Sequence, residues 1–167
     1  MIKAVLFAAL LTVAAAWLAT SGLRDRLLPP TAAPTATRAV IEDAPGTTTL
    51  RADADGHFRV DATVGGRRVP MMVDTGATVV ALSFEIGQQL GLATNGDRFD
   101  VRVSTANGSV GAKRVVLRDV RIGSVKVDDV SAIVMSPGAM DGALLGMSFL
   151  GRLRRFETAR DRLVMER

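Results

Sequence analysis

Residues 69–82, VPMMVDTGATVVAL, place a single carboxylate, Asp74, between two apolar runs. An acid between two buried segments is costly unless it is hydrogen-bonded or used in chemistry. Thr75 can donate a hydrogen bond through its hydroxyl, and Gly76 permits a tight turn or the close approach of another chain. The stretch therefore predicts a buried strand that ends in a loop, with the carboxylate held at the bottom of a cleft.

The composition argues against a disulfide-bonded protein, a cysteine-dependent site and a nucleic-acid-binding protein. The 167 residues include no cysteine and a single histidine, His57, and the formal net charge is +4. Without cysteine there is no disulfide framework, thiolate nucleophile or thiolate metal site. His57 has no nucleophile in a recognisable setting, and the positive charge is too mild and too dispersed to indicate a nucleic-acid partner. Asp53 and Asp55 lack the later ligands of a calcium loop, so we predict a surface turn there and neither a metal nor a cofactor.

Residues 1–23 predict an N-terminal transmembrane helix. Residues 4–23 are uncharged and mostly apolar, and as a helix they would span roughly 30 Å, about the thickness of the hydrocarbon layer. A signal peptide cleaved after Ala14-Ala15-Ala16 is the alternative. We favour a retained anchor because Trp17 follows and the apolar run continues to Ala19. Both alternatives deliver the remaining chain outside the cytoplasm.

Proline, alanine and threonine dominate residues 24–46, which predicts a linker, and the folded domain is expected over residues 47–167. Alternating residues and tight turns in this domain predict a mostly β-fold. Gly65-Gly66 and Asn107-Gly108 suit hairpin turns, and Ser83 can cap a short helix over residues 84–90. The predicted strands are residues 57–64, 69–73, 99–105, 110–120, 125–130, 132–135 and 162–165.

The loop Asp74-Thr75-Gly76-Ala77, with its apolar flanks, resembles the active-site loop of aspartic proteases, and one copy in a short chain is similar to the retropepsin-like branch of clan AA. The bare tripeptide is a weak signal, because a glycine turn capped by an aspartate has the same residues. Further signatures in the right order extend the resemblance to bacterial, membrane-anchored retropepsin-like proteases. These are His57-Phe58 at the first hairpin, residues 105–108 at the flap, and the apolar-apolar-Gly run of residues 144–150.

The resemblance implies a closed, mostly antiparallel β-fold with one or two short helices, which forms half of a symmetric aspartic protease. The chemistry needs two carboxylates about 3 Å apart that share a proton. The chain offers one Asp-Thr-Gly, and Asp141-Gly142-Ala143 lacks the threonine and is predicted to be a turn. A homodimer with a peptide or protein substrate is therefore expected.

The resemblance also assigns roles to residues of the active-site loop. Asp74 would be the catalytic acid or base, and Thr75 would hydrogen-bond across the dimer axis. Gly76 and Ala77 would line the cleft and contact the substrate backbone. Thr78 departs from the pattern, since viral relatives often carry a substrate-binding acid at this position, and their side-chain preferences therefore do not transfer.

The hairpin tip Ala106, Asn107 and Gly108 would close over the peptide as the flap. The resulting expectation is an aspartic endopeptidase of the bacterial inner membrane, with a single transmembrane helix and a protease domain that faces the periplasm. The alternative is a catalytically silent retropepsin fold that binds peptides or holds a membrane assembly together. The intact Asp74-Thr75-Gly76 argues against the silent form, because a binding module has no need of a central acid.

Overall fold

The structure, a computed structural model, describes residues 40–105 and 108–167. The predicted transmembrane helix, the linker as far as residue 39, and the flap residues Ala106 and Asn107 lie outside the described residues. Within the described residues, no helix combines the length and the apolar character needed to cross a membrane.

The described residues form eleven strands and two short helices, which confirms the prediction of a mostly β-fold. The helices are α1 (Phe84–Gln89) and α2 (Met147–Leu150). The strands are β1 (Val40–Ala44), β2 (Thr47–Arg51), β3 (Arg59–Val64), β4 (Arg67–Val73), β5 (Val80–Leu82), β6 (Val101–Thr105), β7 (Gly108–Ile122), β8 (Val125–Met135), β9 (Ala143–Leu145), β10 (Arg155–Ala159) and β11 (Arg162–Glu166).

The strands form two sheets. The smaller sheet has the order β1-β2-β11-β10, and the larger has the order β3-β4-β9-β5-β8-β7-β6. An additional pairing joins β3 to β7, so six strands of the larger sheet close into a ring and β6 is attached outside it along β7. Most pairs are antiparallel, but β4–β9 and β5–β8 are parallel. The central position of β9, between β4 and β5, fixes the loop that joins those two strands.

Local sequence explains the first hairpin of the larger sheet. Side chains of β3 alternate between buried and half-buried positions, as expected when one face packs on the core. Gly65 and Gly66 have φ values of 54° and 81°, a combination that glycine adopts readily and that suits a two-residue hairpin turn. Asp61 consequently lies opposite Pro70 in a continuous antiparallel register.

The larger of two apolar clusters among the described residues combines side chains from both sheets and both helices. Phe149 and Leu150 of α2 are fully buried, and Phe84 of α1 is nearly so. Burial of side chains of this size stabilises a fold by roughly 1.5–3 kcal/mol each. Helix α1 begins where the Ser83 hydroxyl accepts a hydrogen bond from the Ile86 amide at 3.4 Å, and this is the predicted cap.

The smaller sheet is where the sequence predictions are least accurate. Strand β1 lies inside the segment predicted to be a linker, because the β-branched pair Val40-Ile41 can pair with β2 although the surrounding composition is linker-like. Strand β10 was not predicted, since its residues are mostly polar and only half-buried Phe156 marks an inner face. Thr48 of this sheet donates to the carbonyl of Ile122 at 3.0 Å, which ties β2 to the end of β7.

Candidate active site

Asp74 follows directly on β4, and β9 fixes its backbone. Val73 pairs with Leu145 in a parallel register, and the Asp74 amide donates to the Leu145 carbonyl at 3.1 Å. Val73 in turn donates to the carbonyl of Phe58 at 2.9 Å. The chain is therefore held from two sides at the point where the carboxylate emerges.

The loop after β4 is organised around the carboxylate itself. The Gly76 amide donates to Asp74 Oδ1 at 2.8 Å, and the Ala77 amide donates to the Asp74 carbonyl at 3.3 Å. Asp74 is half-buried, so an amide partner offsets part of the cost of removing the carboxylate from water. A Cβ on Gly76 would lie 3.2 Å from Oδ1, which is tighter than most contacts, and this explains the small residue two positions after the acid.

The apolar-apolar-Gly signature packs directly under this loop. An added Cβ on Gly146 would lie 2.3 Å from the Val79 carbonyl oxygen and 2.6 Å from that of Ala77. The next residue, Met147, donates its amide to the Ala77 carbonyl at 2.8 Å. A side chain at residue 146 would displace the loop, so only glycine permits this approach.

Ser148 fixes the other end of the loop, and the sequence analysis did not identify it. Its hydroxyl accepts a hydrogen bond from the Val80 amide at 3.0 Å and donates to the Ser131 carbonyl at 2.7 Å. Val80 begins β5 and Ser131 lies on β8, so one side chain joins α2 to two strands. A serine two residues after an apolar-apolar-Gly run was the available signal.

A cleft of about 970 Å³ opens beside Asp74. Its floor is apolar and includes the buried residues Ala81, Ile133 and Met135. Ser104 and Thr105, at the end of β6, also line it. Asp74 supplies the one carboxylate among the described residues that line the cleft. The arrangement can bind an extended, partly apolar ligand beside a single acid.

The predicted site residues are only partly brought together. Asp74, Gly76 and Ala77 line the cleft, whereas Thr75 is exposed and is not among the lining residues. Gly108 begins β7 with a φ of 113° and pairs with Thr105, whose hydroxyl donates to the Gly108 carbonyl at 2.8 Å. The β6–β7 hairpin thus borders the cleft, and the role of its tip as a flap stays a prediction.

The other acidic candidates have different surroundings. Asp53 and Asp55 both bind Arg59, at 2.8 Å and 2.6 Å, beside the turn at residues 54–55. Hydrogen bonds from the Arg59 guanidinium, more than any other contact, hold the pKa of Asp55 well below its usual range. Asp141 is exposed in the loop before β9 and does not line the cleft. None of the three provides a second acid beside Asp74.

Comparison with known proteins identifies similar chains. The sequence profile of the family described as "gag-polyprotein putative aspartyl protease" matches residues 60–152, more than half of the chain. The "Uncharacterized protein in cobV 5'region" of Sinorhizobium sp is 40% identical over 109 residues, 65% of this chain and 47% of that protein. The "Uncharacterized protein RP867" of Rickettsia prowazekii is 37% identical over 111 residues, 66% of this chain and 47% of that protein. The chain thus spans about half the length of the curated relatives it matches.

A solved structure extends the comparison to the fold. The crystal structure of a retropepsin-like aspartic protease from Rickettsia conorii is 33% identical and superposes with a TM-score of 0.65. The match covers 72% of this chain and 89% of that one. Nearly the whole of the solved chain therefore has a counterpart here.

Proposed function

Since this chain belongs to the retropepsin-like aspartic protease family, we propose that it is an aspartic endopeptidase that acts as a homodimer and hydrolyses peptide bonds with activated water. The observation that carries the proposal is the half-buried carboxylate of Asp74 beside a cleft of about 970 Å³. The amide of Gly76 and the carbonyl of Leu145 hold that residue in place. Such fixed geometry is what positions a catalytic acid for reaction.

The proposed mechanism needs a second carboxylate. Two carboxylates about 3 Å apart share one proton, because like charges that close cannot both ionise. The ionised acid removes a proton from water as the water oxygen attacks the peptide carbonyl carbon, and the protonated acid donates its proton to the carbonyl oxygen. Among the described residues, Asp74 is the one carboxylate that lines the cleft of a chain. A twofold dimer would therefore supply the two carboxylates that the reaction needs. Exposed Thr75 is available for the hydrogen bond across the axis.

The cleft suits an extended peptide as substrate. Its apolar floor can accept side chains of the peptide, while the end of β6 can lie along the peptide backbone. In the dimer, Gly76 and Ala77 of each chain would contact the substrate backbone near the scissile bond. The hairpin tip Ala106-Asn107-Gly108 would close over the bound peptide and exclude water.

The first test separates an enzyme from a catalytically silent peptide-binding or assembly module. The full chain is incubated with a mixed peptide pool at mildly acidic and at neutral pH, with and without a pepstatin-type inhibitor. Asp74→Asn should abolish cleavage with little change in thermal stability, because the amide cannot accept the proton of water as a carboxylate does. Cleavage near the wild-type rate by folded Asp74→Asn protein would refute the aspartic-protease proposal.

The second test addresses the dimer. Wild type and Asp74→Asn are mixed in varying proportions after subunit exchange has been demonstrated with two differently tagged chains. If each active site takes one Asp74 from each chain, activity per total protein should fall with the square of the wild-type fraction. At equal mixing about a quarter of the dimers keep both carboxylates, since the symmetric interface pairs chains at random. A linear fall, with half the activity remaining, would mean that each chain is active alone.

We also propose that residues 1–23 anchor the protease domain in the bacterial inner membrane, with the domain facing the periplasm. The support is the uncharged, apolar run of residues 4–23 and the linker-like composition that follows it. A reporter fused after Arg167 should be active outside the cytoplasm, and the protein should remain with membranes after a salt wash. A mature N-terminus near Trp17 would instead identify a cleaved signal peptide, and cytoplasmic reporter activity would refute the periplasmic location.

A further inference from the structure

We propose that residues 113–118 of β7, here called the open edge, bind an extended acidic segment of a partner protein as an added strand. The proposal concerns binding and does not depend on the proposed proteolysis. Three features of the edge support it: an unpaired backbone, an exposed valine beside a small cavity, and arginines without acidic partners.

The open edge is a gap in the pairing of β7. On one side, β7 pairs with β8 along most of its length. On the other side, β6 pairs with it only as far as Ala112, and β3 pairs with it only from Val120 onward. The Gly65 amide, which donates to the Asp119 carbonyl at 3.0 Å, closes the far end. Within the described residues, no strand therefore lies beside residues 113–118 on this side.

The backbone of the open edge can bond to a new strand. In an antiparallel ladder, the main-chain groups of successive residues point alternately to the two sides of the strand. Gly111 points toward β8, because its carbonyl accepts from the Ser136 amide at 2.9 Å. By alternation, Arg114 and Val116 direct their amides and carbonyls into the gap. Six residues span roughly 20 Å, the length of an ordinary strand.

An apolar cavity adjoins the open edge. It has a volume of about 210 Å³, and half-buried Leu90 and Leu92, which follow α1, contribute to its lining. Val116 lines both this cavity and the larger cleft, and 54% of its surface is exposed. Since a strand places alternate side chains on the same face, an added strand can direct an apolar side chain into the cavity. The partner segment should therefore alternate apolar and polar residues.

Three arginines give the surroundings of the open edge a positive charge. Arg114 and Arg118 belong to the edge itself, and Arg67 lines the small cavity with Arg118. All three are exposed. The ion pairs within residues 40–105 and 108–167 include none of them. An unpaired cluster of cations attracts carboxylates from outside the chain.

The acids near the two ends of the open edge already have lysine neighbours. Asp97 binds Lys113 at 2.8 Å, and a carboxylate oxygen of Asp119 lies 3.9 Å from the Lys126 ammonium. The polar positions of the partner segment should therefore carry Glu or Asp.

Charged side chains can also protect a strand edge from pairing with other chains. A purely protective edge would reject every added strand, acidic ones included. The exposed apolar side chain of Val116 at the centre of the edge argues against this role, because it offers a contact instead of a barrier. Peptide binding decides between the two roles.

The test uses fluorescein-labelled peptides about eight residues long, in which valine alternates with Glu, Gln or Lys. Binding to the full chain carrying Asp74→Asn is followed by anisotropy, so that cleavage does not consume the probe. The Glu peptide should bind about threefold to tenfold more tightly than the Gln peptide, the range that one or two exposed ion pairs supply. The Lys peptide should bind most weakly, and added salt should reduce the differences.

Matched double variants assign the preference to the open edge. Arg67→Gln/Arg118→Gln should lower the affinity for the Glu peptide about threefold to tenfold. Arg51→Gln/Arg162→Gln removes the same charge from exposed positions of the smaller sheet and should leave the affinity unchanged. Thermal melts verify that both variants fold.

Amide hydrogen exchange, read by NMR, tests the added strand directly. At about 90% saturation with the Glu peptide, exchange at Arg114 and Val116 should slow about tenfold, since only the free tenth of the protein exchanges. The amides of Lys113 and Val115 point toward β8 and serve as internal controls that change little.

The proposal requires all three results. It is overturned if no peptide binds, if both double variants lose affinity equally, or if Arg114 and Val116 gain no protection. Protection at Gly76 and Ala77 alone would place the peptide beside Asp74 and would likewise overturn it. Loss of proteolysis bears only on the endopeptidase proposal, because every measurement here uses the chain without the Asp74 carboxylate.

Discussion

Gly146→Ala should damage the candidate active site from beneath without touching the acid. The backbone of Gly146 has a φ of −93° and a ψ of −174°, which alanine adopts without strain. On conformational grounds alone the substitution would stabilise the chain by about 0.4–1 kcal/mol, since it restricts the unfolded state. The predicted damage therefore comes entirely from the space around the residue.

The magnitude follows from the contacts that the new methyl group would make. The Cβ would lie 2.3 Å from the Val79 carbonyl oxygen, 2.6 Å from that of Ala77 and 2.7 Å from the Val79 carbonyl carbon. An optimal contact is about 3.5 Å or longer, so the loop must move by about 1 Å. Overpacking of this kind costs about 1–3 kcal/mol, which exceeds the conformational gain. A misplacement of about 1 Å at a reacting group can also lower activity about 100-fold.

Urea denaturation and peptide cleavage measure the two effects separately. Gly96→Ala is the matched control, since a Cβ there meets no atom within 4 Å and the residue is exposed. We expect Gly146→Ala to unfold at lower urea concentration and to lose most of its activity, and Gly96→Ala to behave like the wild type. If Gly146→Ala matched its control in both assays, the close approach between α2 and the loop would be refuted as the reason for this glycine.

Three further predictions concern the flap, the loop end and acid stability. Gly108→Val should lower turnover more than the melting temperature, because a β-branched residue disfavours the φ of 113° while open space surrounds the site; normal turnover would mean that the flap has been misplaced. Ser148→Ala should cost about 1–3 kcal/mol in urea unfolding by leaving the Val80 amide without its partner, and an unchanged midpoint would refute this. Hydrogen bonding from Lys113 holds the pKa of Asp97 below its ordinary 3.8, so this pair stabilises the fold above that pH and loses its contribution as pH falls through the lowered pKa. The stability difference between wild type and Lys113→Met should be present at pH 7 and shrink below about pH 4, and a difference independent of pH would contradict the assignment.

Local signals in the sequence were sufficient for much of the fold. The glycine pair at residues 65–66 specified a hairpin, and Ser83 specified the start of α1, because turn and cap geometry depends on a few adjacent residues. The polar strand β10 gave no comparable signal. Its place depends on pairing with β11, and tertiary pairing of that kind overrides weak strand propensity.

In the candidate site too, the residues that a local motif marks were predicted, and those placed by long-range contacts were not. Asp74, Gly76 and Ala77 lie together in one loop, so a short motif was enough to select them. Ser148 reaches Val80 across 68 positions of sequence, and no local pattern reports such a bond. Arg114 likewise joins the cleft only through the register of β7 against β8, which a single sequence does not specify.

The hydrogen bonds that hold the candidate active-site loop, residues 74–79, are distributed unevenly around it. Leu145 fixes its start, Ala77 is bound from beneath by Met147, and Ser148 fixes the strand that follows. Thr75, at the top, is exposed and lies outside the cleft. A chain that needed only itself for catalysis would have reason to bury or bind that hydroxyl, since a fixed hydroxyl would steady the acid beside it. A loop that is hydrogen-bonded from below and exposed at Thr75 fits the proposed homodimer, in which the partner's Thr75 and Asp74 would complete the site by symmetry.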